Sequence, residues 1–219
     1  MSKKAAFRII IENIQIFDEA SLLIRDEFNA LLFNKIDEVI QDEFPEFKGR
    51  FDFFQHGDVL FYPIKWLANN NNDADYKNCF AHYYFGFECD EGIIEKGTYW
   101  WITPLFSHKN ERMVLGFYSY KKQFTQCSEK EWKNFISEQY KKYETKLISF
   151  GFKLNAKEGD IYFPIDEKLE PKQVIECYPD NLVDAMQPIR NALNRFKRAH
   201  SIFEQIVEAA KERFIIIGK

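Results

Sequence analysis

Glycine and proline are scarce, at 9 and 7 residues in a chain of 219. That scarcity excludes a collagen-like, low-complexity or loop-dominated polypeptide. Cysteine is scarcer still: Cys79, Cys89, Cys127 and Cys177 stand far apart, with no C-x-x-C among them. A disulfide framework is therefore not expected, and the four are read as reduced core thiols of a cytoplasmic protein. No stretch approaches ~18 uninterrupted apolar residues, so no membrane-spanning helix is expected. The segment MSKKAAFRIIIENIQIF starts basic, but Arg8, Glu12 and Asn13 break its apolar run. Without a small-residue cleavage pattern, it is not read as a secretory signal. Several catalytic signatures are missing as well. There is no G-x-S-x-G, no P-loop and no G-x-G-x-x-G, which argues against a hydrolase elbow or a nucleotide-binding α/β fold. Nor does charge of one sign prevail: 34 acidic and 30 basic residues leave a net −4. A general nucleic-acid binder shows a basic excess, and this chain has none.

What the chain does have is large apolar side chains. Hydrophobic residues make up 46% and aromatics 17%, with 23 Phe and 11 Tyr. Such a chain can bury a substantial core, and 219 residues suit one domain over 1–219.

The pattern along the chain predicts α+β. Residues 7–17 fit a strand through Phe7, Ile9 and Ile11 and a helix through Ile10 and Ile14, and periodicity does not separate the two. From about Asp18 to Glu43, Ile24, Phe28, Leu31, Leu32, Ile36, Val39 and Ile40 recur at spacings of three and four, an amphipathic helix stopped by Pro45. Then come aromatic and β-branched segments read as strands: 50–54, 59–66, 82–89, 98–106 and 112–120, joined as an antiparallel meander. Pro63 and Pro104 place their segments at an edge or a bulge. Ser128 and Glu131 form a capping box that opens a helix ended by Gly151. Residues 160–165 read as a strand and 172–178 as a further candidate. At the C-terminal end Leu182, Met186, Ile189, Leu193, Phe196, His200, Phe203, Val207, Ala210 and Phe214 alternate in steps of four and three. That is a heptad seam, to be buried against the sheet, against another helix, or against a second copy in a homodimer. Pro188 either starts or kinks this helix. The expected architecture is a mostly antiparallel sheet of five or six strands flanked by helices.

Chemistry-bearing constellations are few. Cys79 and His82 make a C-x-x-H pair, but on a strand those positions point to opposite faces and no second pair follows, so no metal site is expected. Two fragments resemble the PD…(D/E)xK pattern of Mg²⁺-dependent nucleases. Asp58 opens one strand and Glu88 ends another, although Asp90 stands where that pattern needs lysine. Asp160 with Asp166, Glu167 and Lys168 is the other fragment, its acids too close in sequence for a hairpin to converge them. Arg190, Lys197 and Arg198 make a locally basic patch on the last helix, able to contact phosphate or simply to be solvated. Tyr83, Tyr84, Trp100 and Trp101 place consecutive rings on both faces of their strands. One face builds the core, and the other is either covered or offers an aromatic contact surface.

The reading these features favour is a non-enzymatic protein-interaction module, a regulator or inhibitor of bacterial or phage origin. It would bind another protein, without a cofactor, through Tyr83, Tyr84, Trp100 and Trp101 or through the C-terminal helix. The alternatives are a Mg²⁺-dependent phosphodiesterase built on Asp58, Glu88 and Asp90, and a single-strand nucleic-acid binder using Arg190, Lys197 and Arg198.

Overall fold

The computed structural model describes residues 2–68, 78–89, 102–106, 111–119, 123–124 and 127–215, with the side chains of Cys89 and Glu111 outside that set. The fold is α+β, as the patterning predicts. Six strands form one antiparallel sheet: β1 (Phe47–Arg50), β2 (Asp58–Pro63), β3 (Ala81–Cys89), β4 (Glu111–Ser119), β5 (Lys153–Asn155) and β6 (Asp160–Ile165), in the order β1-β2-β3-β4-β6-β5. β3 and β4, the longest pair, run in register from Ala81 opposite Ser119 to Cys89 opposite Glu111. Because side chains alternate along a strand, Tyr83, Phe85 and Phe87 share one face, while His82, Tyr84 and Glu88 share the other.

The first face is the core face. The long helix α8 (Gln187–Phe214) lies across it. Its Phe196 ring meets Tyr83 edge-on at 4.7 Å, and its Phe203 ring stacks on Phe117 at 4.8 Å. α3 (Asn29–Glu43) covers the same face beside it, with Phe33 against Phe87. α6 (Glu129–Phe150) packs along α8, its Phe135 edge-on to Phe214. A twisted sheet with one apolar face needs such a helical layer to close its core. Rings in edge-to-face or offset contact contribute about 0.5–1.5 kcal/mol beyond the area they bury.

The capping box at Ser128 and Glu131 is formed, and Gly151 ends α6 in the left-handed region at φ 91°, where a side chain would be strained. Pro188 sits in the first turn of α8, so it starts the helix and produces no kink; a 3₁₀ stretch, Leu182–Met186, leads into it. Every seam residue of α8 is buried except the half-buried His200. The seam is therefore occupied by this chain's own core, so of the three alternatives for it the sheet and the neighbouring helices take it, and a second copy does not.

Several elements differ from the expectation. The strand read at 50–54 ends at Arg50, and Phe53–His56 is the short helix α4. Asp52 caps it, and the Asp37 carboxylate accepts the Phe53 N–H, so side-chain acceptors override the local aromatic pattern. The segment 59–66 is a strand only to Pro63, after which Ile64–Trp66 forms a 3₁₀ turn. Of 98–106, residues 98–101 lie outside the described set, and Thr103–Phe106 is a single helical turn, α5. Residues 172–178 contribute a helix, α7 (Pro171–Cys177), not a strand: Pro171 occupies its first turn and Glu170 caps the Lys172 N–H. β5, only three residues long, went unforeseen. The ambiguous start of the chain is helical: α1 (Lys3–Glu12), capped by Ser2, and α2 (Ile14–Leu23). One π-helical turn, Ile24–Phe28, joins α2 to α3. Asn13 separates α1 from α2, its side-chain amide donating to the Ile9 carbonyl in local competition with the helix ladder. Cys79, Cys127 and Cys177 are free thiols. Among the described residues no helix is long and apolar enough to cross a membrane.

Candidate functional site

Two surfaces merit description: the second face of the sheet and the N-terminal helices. On the sheet, Asp58 lies opposite Gly86, so Glu88, two residues on, is its diagonal neighbour on the same face. At that offset Cβ atoms stand roughly 7–8 Å apart. The two carboxylates therefore share a face, as the nuclease-like reading requires. Each, however, has an arginine partner. Arg50 bonds Asp58, and Arg112, paired with Glu88 across the ladder, stands 3.8 Å from its carboxylate. Burial raises the Asp58 pKa, with Arg50 and then His56 opposing. A divalent ion would have to displace both guanidinium groups. Among the described residues, no three His, Cys, Asp or Glu side chains come together as a metal would need. Asp90 lies outside the described residues.

Further along the same face, Tyr84 donates its hydroxyl to Asp160 at 3.0 Å, and the outer end of its ring occupies the space a Cβ on Gly116 of β4 would take. Asp160 is almost fully buried. Burial pushes its pKa up to about 6, against the Tyr84 hydrogen bond and with help from the Glu88 charge. His82 is buried beside them, and burial together with the Arg50 charge lowers its pKa to about 3, so it is neutral. Tyr62, Leu60 and Val114 are buried here too, while Tyr118 remains 40% exposed. Among the described residues this face is thus mostly buried or half-buried and holds the Tyr84–Asp160 hydrogen bond and two arginine–carboxylate pairs.

The predicted contact residues separate accordingly. Tyr83 is fully buried under α8 and belongs to the core, which corrects its assignment to a contact surface. Its hydroxyl donates to His200 Nδ1 at 2.6 Å, His200 Nε2 donates to Glu204 at 2.8 Å, and Lys65 pairs with Glu204. That chain is why a histidine can sit in the α8 seam. Tyr84 is half-buried over Gly116. Trp100 and Trp101 lie outside the described residues. Arg190 and Lys197 are committed to Glu43 of α3, Arg190 at 2.8 Å, and so bind two helices together instead of forming a free basic patch. Arg198 lies over the Phe150 ring at 5.0 Å. The phosphate-contact reading loses two of its three cations to this staple.

Periodicity left the N-terminal segment undecided between strand and helix, and did not show that its apolar side chains stand in solvent. α1 and α2 contribute no buried residue. Yet Phe7 is 67% exposed and Ile16 64%, and Ile9, Ile10, Ile11, Ile14, Phe17, Leu22 and Leu23 all stand in solvent. Spacing reveals an order in this apolar surface. Within each helix the exposed residues recur at three and four, Phe7, Ile10 and Ile11 in α1 and Ile14, Phe17 and Ser21 in α2. Ile16 and Leu23 of α2 stand seven residues apart, two helical turns along one line. The arm joins the body where Phe28 packs edge-on at 5.9 Å to Tyr178, the residue after α7, and Glu27 accepts the Tyr178 hydroxyl. At ~150–200 Å² per large side chain, the nine exposed residues leave on the order of 800 Å² of apolar surface in water, which is what one partner of a standard interface buries. The arm's charge is also graded. α1 carries Lys3, Lys4 and Arg8 against Glu12, whereas Asp18, Glu19, Asp26 and Glu27 outnumber Arg25 in the following turns.

No protein-family model, curated protein or solved structure matches this chain.

Proposed function

We propose that this chain is a protein-interaction module whose contact surface is the N-terminal helical arm. One observation carries the reading: two consecutive helices without a buried residue present nine large apolar side chains to solvent. Isolated helices of about ten residues are marginal in water, because nucleation is costly and tertiary packing supplies most helical stability. A helix apolar on more than one side is one that something covers. The arm therefore has its stabilising surface outside the body of the chain. The phosphodiesterase alternative has weaker support, since both of its described carboxylates are engaged by arginines. The nucleic-acid alternative has weaker support for the same kind of reason, with Arg190 and Lys197 held by Glu43.

Amide hydrogen exchange on the full chain, alone and in the complexes in which it is isolated, tests the reading. An uncovered arm exchanges nearly as fast as an unstructured peptide, while a covered one is slowed. The expected result is slowed exchange from Phe7 to Ile24 in at least one complex. Arm amides that remain fast in every state would refute it.

A further inference from the structure

Tyr83 is fully buried, and among the described residues His200 Nδ1 is the one hydrogen-bond partner of its hydroxyl, at 2.6 Å. Burial, and then the Glu204 charge, raise the Tyr83 pKa well above its ordinary value, so the phenol keeps its proton. That proton is directed at Nδ1, which must therefore offer a lone pair. The imidazole's own proton is then on Nε2, facing Glu204 at 2.8 Å. If His200 took a second proton, Nδ1 would donate instead of accept, and the buried hydroxyl proton would lose its acceptor. A buried donor left without its partner destabilises the fold. An imidazolium would gain attraction to Glu204, but Lys65 already holds the same carboxylate oxygen.

We infer that Tyr83, His200 and Glu204 form an acid-released latch between α8 and the sheet, closed while His200 is neutral and opened when it takes up a proton. The latch ties three elements: β3 through Tyr83, α8 through His200 and Glu204, and the 3₁₀ turn Ile64–Trp66 through Lys65. The other charge beside His200 is Lys197, one turn back on α8, which Glu43 of α3 holds; β1 and the 3₁₀ turn add the Phe47 and Trp66 rings. Burial lowers the His200 pKa, Glu204 opposes it, and Lys65 adds to the lowering. A histidine lowered on folding stabilises the chain above about pH 6.5, and that contribution is lost as pH falls through the folded value. Asp37 and Asp160 act with the opposite sign: burial pushes both up to about 6, so taking up protons there favours the folded chain. A loosening in acid centred on His200 therefore belongs to the latch and not to these carboxyls.

The test is an NMR titration of the full chain from about pH 8 to about pH 4.5, spanning the ordinary histidine range. Ring-nitrogen shifts of His200 read its tautomer and its midpoint, and amide exchange reads the protection of residues 196–204. The expected wild-type result is a proton on Nε2 at the alkaline end and a midpoint below ~6.5. Protection over 196–204 should fall by about tenfold as His200 protonates, the size of one lost hydrogen-bond acceptor in a buried site. Tyr83→Phe removes the hydroxyl that Nδ1 serves, so the midpoint should rise and the acid-linked loss of protection should vanish. Lys65→Met, at a side chain 61% exposed, leaves Glu204 to the imidazolium alone and should also raise the midpoint. A wild-type His200 with its proton on Nδ1, or with a midpoint at or above ~6.5, overturns the inference. So does a midpoint that either variant leaves unmoved, and so does protection over 196–204 that ignores the protonation of His200.

Discussion

Replacing Gly116 with alanine probes the second face of the sheet more sharply than any change to a charged residue. Gly116 pairs with Tyr84 across β3 and β4, and the tyrosine ring lies over its Cα. A Cβ at that position would fall far inside ordinary van der Waals contact with Cε1, Cζ and Oη of the ring. The backbone on both sides is locked in a nine-residue ladder, so the ring must move instead. A displaced ring takes the hydroxyl away from Asp160, which loses its tyrosine donor in a nearly buried site. Losing a donor to a buried polar group costs about 1–3 kcal/mol. Forcing extra volume into a packed site costs a similar amount. Gly116→Ala is therefore expected to destabilise by ~2–4 kcal/mol, read as a lower urea midpoint. For a chain of this size that is a fall in Tm of roughly 4–16 °C. Background decides the mechanism. In a Tyr84→Ala chain the ring is gone, and Gly116→Ala should be neutral, or stabilising by up to ~1 kcal/mol because alanine loses less backbone freedom than glycine. A native-background cost below ~0.5 kcal/mol, or equal costs in the two backgrounds, would refute the reasoning.

Asp160→Asn should stabilise the chain at neutral pH and not in acid. The folded carboxyl holds its proton to about pH 6, whereas an unfolded aspartate releases it near 3.8. The native state therefore binds more protons between those values, and stability falls as pH rises through that window. The asparagine escapes this loss, so its advantage should grow from near zero at pH 4 to about 1–2 kcal/mol above pH 6.5, as measured by urea unfolding; a pH-independent difference would contradict it. Glu43→Gln removes the negative charge shared by Arg190 and Lys197 and should cost ~1–2 kcal/mol in low salt and less in 1 M salt; thermal unfolding at both ionic strengths checks this. His200→Leu leaves the Tyr83 hydroxyl buried without its acceptor and should cost ~2–3 kcal/mol, part of which Tyr83→Phe restores in the double variant; strictly additive costs would count against the Tyr83–His200–Glu204 chain.

Local signals carried a large part of this fold. The capping box at Ser128, the glycine after Phe150 and the strand at 160–165 stand where short-range chemistry puts them. So does the α8 seam, because a heptad pattern over 28 helical residues admits no other regular structure. The errors have a common cause. At 50–54 and 103–106, aromatic residues suggested strands, but rings suit any buried surface, and a distant acceptor such as Asp37 or a proline in a first turn decided for helix. A helical spacing in the arm was also legible, since Phe7, Ile10, Ile14 and Phe17 recur at three and four like Ile24 and Phe28. The alternation of Phe7, Ile9 and Ile11 competed with it over a window too short to arbitrate.

Periodicity, caps and composition were thus enough to settle the class of fold, the long C-terminal helix and the aromatic core, because each depends on neighbours within a few turns of chain. Which aromatics are core and which polar groups are spoken for was settled only by packing. Tyr83 and Tyr84 are adjacent in sequence yet face opposite sides of the sheet, and Arg190 and Lys197 look free until Glu43, about 150 residues away, is brought against them. Burial and ion pairing join residues across the chain, and no local pattern encodes which distant group will arrive.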